Sequence, residues 1–304
     1  MTFRILCLDG GGIRGIYSMV LLERIAKEVP NLMKKIDMFS GTSTGGIIGL
    51  GLADGYTPAE GVELYRKFGK KVFKDSRFDN LLDLGRLIGA QYSTRPLKKI
   101  LQETYRSKTL AELRTKKGKL VLIPTFDLDA VKDDVRSWKP KFFHNFPGED
   151  SDGGELLVDV ALRTSAAPSY FPTYQGYIDG GVVTNNPSMG ALAQALNEGK
   201  LQSEIRLLSI GTGRVAQYIR GKNLDWGQAQ WAKTLLPIMF DGLMGVASYQ
   251  CHTILGKSGF HRLDPQLKKA AGLDEVDKIE DLVKEAGAVD IEETIAWVKT
   301  HFMT

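Results

Sequence analysis

The 304-residue sequence is short of cysteine and histidine and nearly balanced in charge, and each shortage removes a class of function. Its two cysteines, Cys7 and Cys251, cannot supply a disulfide framework, and their scarcity suits a reducing compartment. Forty Lys+Arg against 36 Asp+Glu leave a formal charge of +4, too mild for a protein that neutralises many phosphates of a nucleic-acid polymer. No apolar run approaches the ~18–20 residues of a spanning helix. No charged region with an apolar region behind it precedes the first strand-like run, Phe3–Leu8. The expectation is therefore a cytoplasmic protein whose membrane contact, if any, is peripheral. Repeats, low-complexity tracts and an obvious linker are missing too. Residues 1–304 accordingly read as one domain, 43% hydrophobic, with a motif-bearing core over about 3–215 and a mostly helical extension over about 216–304 packed on it.

What is present alternates strand and helix. Phe3–Leu8 leads into Asp9-Gly10-Gly11-Gly12-Ile13-Arg14-Gly15 and then a helical period to Val29, stopped by Pro30. A second strand, Ile36–Ser40, runs into Gly41-Thr42-Ser43-Thr44-Gly45 and another helix. Thr57-Pro58-Ala59-Glu60 opens a third helix with a capping box and Pro at the first helical position. Lys119–Phe126 reads as a core strand with Trp138–His144 beside it, and Gly176–Ile178 leads into Asp179-Gly180-Gly181. Ile205–Ile210 is a further core strand, and Gly259–Leu263 a short candidate in the helical remainder. This order predicts an α/β fold, a three-layer α/β/α sandwich with a mostly parallel central sheet and functional loops at the strand ends.

Basic residues gather at Arg66, Lys67, Lys70, Lys71, Lys74 and Arg77 and at Arg114, Lys116, Lys117 and Lys119, as solvated faces or as contacts to an anionic membrane. The 73–92 stretch lacks clean periodicity and is either a lid or a solvated insertion. Leu235–Val246 offers apolar residues either to an acyl channel or to the core.

Three motifs carry chemistry. Gly10-x-Gly12-x-x-Gly15 between strand and helix matches a dinucleotide fingerprint, but that reading needs an acidic residue at the end of the second strand. That strand ends instead in Ser40-Gly41-Thr42-Ser43, with Asp37 at its start. Gly41-x-Ser43-x-Gly45 has the form of a nucleophile elbow. A plain serine N-cap would not require glycine on both sides. A serine nucleophile needs a base and oxyanion donors. The glycine loop supplies donors, chiefly the N–H groups of Gly11 and Gly12, with Gly10 beside them and Arg14 adding positive charge. Asp179, at a strand end before two glycines, is the best base. The alternative is a triad through His252 or His261, two of the four histidines, the others being His144 and His301.

In this order, the glycine loop, Gly41–Gly45 and Asp179-Gly180-Gly181 resemble the patatin-like phospholipases, lipid acyl hydrolases with a Ser–Asp dyad. Thr164–Pro172 and Asn185-Asn186-Pro187 are also similar to that family's motifs. The resemblance implies Ser43 as nucleophile, Asp179 as its direct base, a Gly10–Gly12 oxyanion hole, a phospholipid or other fatty-acyl ester as substrate, and neither metal nor cofactor. It leaves room for a phospholipase effector switched on by a cyclic nucleotide in bacterial antiphage defence. The rival outside enzymology is a non-catalytic lipid- or nucleotide-binding module. A carboxylate is a weak base for serine unless burial raises its pKa, and the dyad requires that of Asp179.

Overall fold

In a computed structural model the structure describes residues 1–73, 89–222, 224–231 and 234–304. Single turns aside, the elements are β1 (Phe3–Leu8), α1 (Gly15–Glu28), β2 (Met38–Gly41), α2 (Thr44–Asp54), α3 (Pro58–Val72), α4 (Thr94–Tyr105), α5 (Leu110–Lys117), β3 (Leu120–Lys132), β4 (Val135–His144), α6 (Leu157–Thr164), β5 (Tyr177–Asp179), α7 (Ser188–Asn197), β6 (Ile205–Ile210), α8 (Leu235–Gly259), β7 (Phe260–Leu263), α9 (Ile279–Gly287) and α10 (Glu292–Trp297), which runs on into a wider helical turn at Val298–Phe302. The sheet runs β4-β3-β2-β1-β6-β7, with β5 also paired to β3. The β3–β2–β1–β6–β7 path is parallel throughout. Strands β4 and β5 join β3 antiparallel, so the sheet is mixed but mostly parallel, as expected.

Side chains alternate across the sheet. Phe3, Ile5 and Cys7 of β1 and Ile205 and Leu207 of β6 point into a smaller core shared with α7 and with Cys251 and Leu255 of α8. Leu6 and Leu8, with Leu208 and Ile210, point into a larger core containing α1, α2 and α6. Burial on both faces is what a parallel sheet requires, and it makes the three layers. The β3–β4 hairpin extends beyond the predicted strand ends, turning at Asp133 and Asp134, both at positive φ. Its outer residues, among them Val131, Val135 and Trp138, are exposed. Among the described residues no helix is long and apolar enough to cross a membrane.

The parallel register sets Leu8 against Gly41 and Leu8 against Ile210. The turns that follow β1, β2 and β6 therefore emerge side by side at one edge. Helix α3 begins as predicted: the Glu60 N–H donates to the Thr57 hydroxyl at 3.2 Å and the Thr57 N–H donates to the Glu60 carboxylate at 2.7 Å. Removing that reciprocal cap by Thr57→Ala should cost about 1 kcal/mol. Thermal unfolding should show a fall in Tm of about 2 °C; an unaltered Tm would mean that the helix does not depend on its cap.

Candidate active site

The second turn holds Ser43 between β2 and α2. Its backbone lies at φ 54°, ψ −122°, a strained conformation for a residue with a side chain. The surroundings impose it: the Ser43 N–H donates to the Thr164 hydroxyl at 3.0 Å, which donates to the Pro124 carbonyl at 2.6 Å. The Thr42 hydroxyl donates to the Thr184 carbonyl at 2.7 Å. Both flanking glycines are required by contact. A Cβ on Gly41 would collide with the Gly45 carbonyl, and one on Gly45 with the carbonyls of Leu8 and Asp9. Ser43 occupies the N-cap position of α2, yet its hydroxyl makes no capping bond to that helix.

That hydroxyl instead meets Asp179. Strand β5 pairs with β3 through Thr125 and Asp179, and the Asp179 N–H donates to the Ala166 carbonyl at 3.0 Å, fixing the residue from two sides. The Asp179 side chain is buried and accepts from the Gly181 N–H at 2.7 Å. Burial raises its pKa to about 6, against smaller lowering by the hydrogen bonds from Ser43 and the Gly181 N–H. The net shift is upward, and among the described residues no cation stands against the group. Gly180 is needed because a Cβ there would strike the Pro124 carbonyl.

The glycine loop lies beside the serine: a Cβ built on Gly10 would come within 3.4 Å of the Ser43 Cβ. The Gly10 N–H, expected as an oxyanion donor, donates to the Asn185 carbonyl at 3.0 Å and is not free. The Gly10 carbonyl accepts from the Thr212 hydroxyl at 3.1 Å and from the Asn185 amide at 3.3 Å. Among the described residues the N–H groups of Gly11 and Gly12 have no hydrogen-bond partner. Gly12 adopts φ +56°, and a Cβ on it would collide with the Leu273 carbonyl. Arg14 donates through Nη1 to the Gly213 carbonyl at 3.2 Å, while its buried Nε has no partner. Burial lowers its pKa.

Arg262 is a residue that sequence reasoning passed over. From β7 its guanidinium donates to both oxygens of buried Asp9, at 3.2 and 2.6 Å, to Asp264 at 2.8 Å and to the Ser209 hydroxyl at 2.7 Å. Asp264 in turn accepts from the Gly213 N–H at 3.1 Å. Burial raises the Asp9 pKa to about 6 even with the guanidinium holding it down. The loops after β1 and β6 are thereby tied to one cation. Nothing in the spacing of Phe260–Leu263 signals this, because a single arginine on a short strand has no motif.

A cavity of about 690 Å³ opens on Ser43 and Asp179, lined on one side by apolar residues of α2, α3 and α4 such as Ile48, Phe68 and Leu101. Its volume is that of a pocket for a sizeable organic ligand. From the Leu235–Val246 run, Pro237, Phe240 and Met244 line the cavity while Leu235, Ile238, Met239 and Val246 face solvent. Phe73 lines it too, against Tyr92 at 5.4 Å and Phe171 at 5.9 Å between ring centroids. The remainder of the stretch expected as a lid, 74–88, with Lys74 and Arg77, lies outside the described residues. None of the four histidines lines the cavity. His261 hydrogen-bonds to the Thr294 hydroxyl at 2.9 Å and stacks on Trp297, which removes the triad alternative its geometry. Asp37 accepts from the Arg4 N–H at 2.7 Å at the start of β2, away from the site. Of the basic runs, Arg66 pairs with Glu63 and Glu280, and the Lys119 ammonium donates to the carbonyls of Lys34 and Ile36.

A family model described as patatin-like phospholipase matches residues 6–192. The chain is similar to CotR of Bacillus subtilis, 36% identical over 231 residues that make up 74% of this chain and 67% of CotR. It is similar to protein teg of Priestia megaterium, 34% identical over 237 residues, 77% of this chain and 70% of that one. It is also similar to the cGAMP-activated phospholipase of Pseudomonas aeruginosa, 28% identical over 289 residues, 90% of this chain and 83% of that one.

Replacing Arg262 by Met leaves two buried carboxylates without their cation, and the loss should be about 3–5 kcal/mol. Urea unfolding checks this; a loss below about 1 kcal/mol would show that the Asp9–Arg262–Asp264 contact is not what secures the loop.

Proposed function

Since the chain belongs to the patatin-like phospholipase family, hydrolases that act on lipids, we infer that Ser43 is its nucleophile, Asp179 its base, and a fatty-acyl ester of a phospholipid its substrate. The observation that carries the reading is the buried Asp179 carboxylate, raised to about 6 and facing a serine that is held at a strained turn and spends no capping bond on its helix. A module that only binds ligands has no use for either feature.

The chemistry follows from the placement. Asp179 takes the proton from the Ser43 hydroxyl as its oxygen attacks the acyl carbonyl carbon. The carbonyl oxygen takes up the negative charge beside the free N–H groups of Gly11 and Gly12, at the N-terminal end of the turn that leads into α1, with the Arg14 guanidinium near. Asp179 returns the proton to the leaving alcohol and the ester bond breaks, leaving an acyl-serine. Water then attacks that ester as Asp179 takes its proton, and Asp179 returns the proton to the Ser43 oxygen as the acyl bond breaks and the acid departs. Gly10 serves as a support, its N–H and carbonyl both spent on neighbours. The whole of 1–304 acts as one unit in this reading, since Arg262 from β7 holds the loop that receives the oxyanion. The cavity wall formed by α2, α3 and α4 takes the acyl chain.

A second reading is favoured by the similarity to a protein named as cGAMP-activated, which extends over 90% of this chain. In it the hydrolase is silent until a cyclic dinucleotide binds.

The test is fatty-acid release from a phospholipid panel, with and without a cyclic dinucleotide, by wild type, Ser43→Ala, Asp179→Asn and His261→Ala. Activity should vanish in the first two variants and survive in the third; substantial turnover by Asp179→Asn rejects the dyad. Because the base works only when ionised, and its pKa is raised to about 6, kcat/KM should climb as pH rises through about 6. A profile that is flat from about pH 5 to 8 would remove Asp179 from the role.

A further inference from the structure

Helix α8 carries more apolar surface than the fold consumes. Its 25 residues include one acidic residue, Asp241, one lysine, Lys257, and one histidine, His252, and no arginine. One stripe, with Ala247, Cys251 and Leu255, is buried against the sheet. A second, with Phe240 and Met244, lines the cavity. A third faces solvent: Leu235, Ile238 and Met239 are 47%, 44% and 46% exposed. Just upstream, Tyr218 is 76% exposed and Trp231 36% exposed. An outward face of a helix is normally polar, so large apolar side chains concentrated there, at the rim of a cavity, mark a contact surface.

We propose that the surface formed by Leu235, Ile238 and Met239 with Tyr218 and Trp231 docks on an anionic lipid bilayer. The inference rests on the lipid-hydrolase reading and names where that enzyme meets its substrate. Two observations select this occupant. The first is continuity. Residues 237 and 240 of the same turns line the cavity, so a bilayer lying against Leu235, Ile238 and Met239 meets the cavity rim directly, and an acyl chain can pass inward without crossing water. A second copy of the chain seated there would close that rim. The second is charge. In the segment that leads to α8, of which Arg214 and Gln217 line the same cavity as Pro237 and Phe240, Arg214, Arg220 and Lys222 are exposed, with Asp225 the acidic residue among the described residues of 214–231. The Arg220 guanidinium lies 5.9 Å from the centre of the Tyr218 ring. Tyrosine, tryptophan and arginine side chains each join an apolar body to a polar end, the form suited to the headgroup layer.

The experiment compares sedimentation with vesicles of phosphatidylcholine alone and of phosphatidylcholine with phosphatidylglycerol. It is run on the full chain carrying Ser43→Ala, so that the vesicles stay intact, with and without Leu235→Asp, Ile238→Asp and Met239→Asp together. The parent should bind the anionic vesicles, and the triple change should weaken binding roughly tenfold or more. Arg220→Glu with Lys222→Glu should weaken binding to the anionic vesicles alone. In the Ser43 background-free protein, the triple change should leave hydrolysis of a soluble short-chain ester and the thermal unfolding profile unaltered while cutting release from vesicles. Vesicle binding that the triple change leaves intact overturns the proposal. So does a parent that binds neither vesicle, or a parent that sediments as a dimer which the triple change splits with no effect on vesicle binding. If wild type hydrolyses the soluble ester neither with nor without a cyclic dinucleotide, yet the triple change still abolishes vesicle binding, the catalytic reading fails and the docking surface stands.

Discussion

Backbone pressed on backbone at the ends of β1 and β2 is the constraint that shapes this molecule. The parallel register brings Leu8 level with Gly41, and the turn after β2 folds back until Gly45 rests against the carbonyls of Leu8 and Asp9. No Cβ fits between them. Because the two chains approach this closely, the glycine loop and Ser43 become neighbours, and Ser43 is driven to φ 54°. Strain of this kind costs on the order of 1–3 kcal/mol and persists only where its surroundings overdetermine it. Here Thr164 and Thr42 do so, each tying the turn to a different element.

Two aspartates mark the site, and the protein treats them in opposite ways. Both lie buried and both are raised to about 6 by the loss of water. Asp9 is met by a guanidinium on two oxygens and becomes a fixed support. Asp179 is met by one N–H and one hydroxyl, so its charge remains available to a proton. Similar burial yields an ion-paired anchor in one place and, among the described residues, a carboxylate with no cation against it in the other.

The sequence made the three-layer plan legible because periodicities of 2 and 3.6 alternate through most of the chain up to residue 210, the 73–92 stretch excepted, and because turns that need glycine announce themselves. Gly41 and Gly45 could be assigned to an elbow since a simple cap has no need of them. The spent N–H of Gly10 was not legible, since its partner is a backbone carbonyl of Asn185, 175 residues on, and carbonyls have no sequence signature. Arg262 was hidden for a related reason: its importance comes from what β7 lies near, and β7 pairs with β6 only by tertiary contact. The outer end of the β3–β4 hairpin escaped notice because nearly all of its residues, Ala130 excepted, are exposed, so no alternation of apolar and polar residues records it.

Strand β5 enters the sheet antiparallel, carrying Asp179 to the serine from residues far along the chain, and β7 brings Arg262 from farther still. A chain emerging from the ribosome thus displays Ser43 long before it holds the carboxylate opposite it, and the loop beside that serine is clamped only when the last strand has been made. If Ser43 and Asp179 act together as proposed, the groups that attack the ester are distributed along the length of the polypeptide, and a truncated or half-folded product that displays Ser43 without Asp179 opposite it has no base to work with.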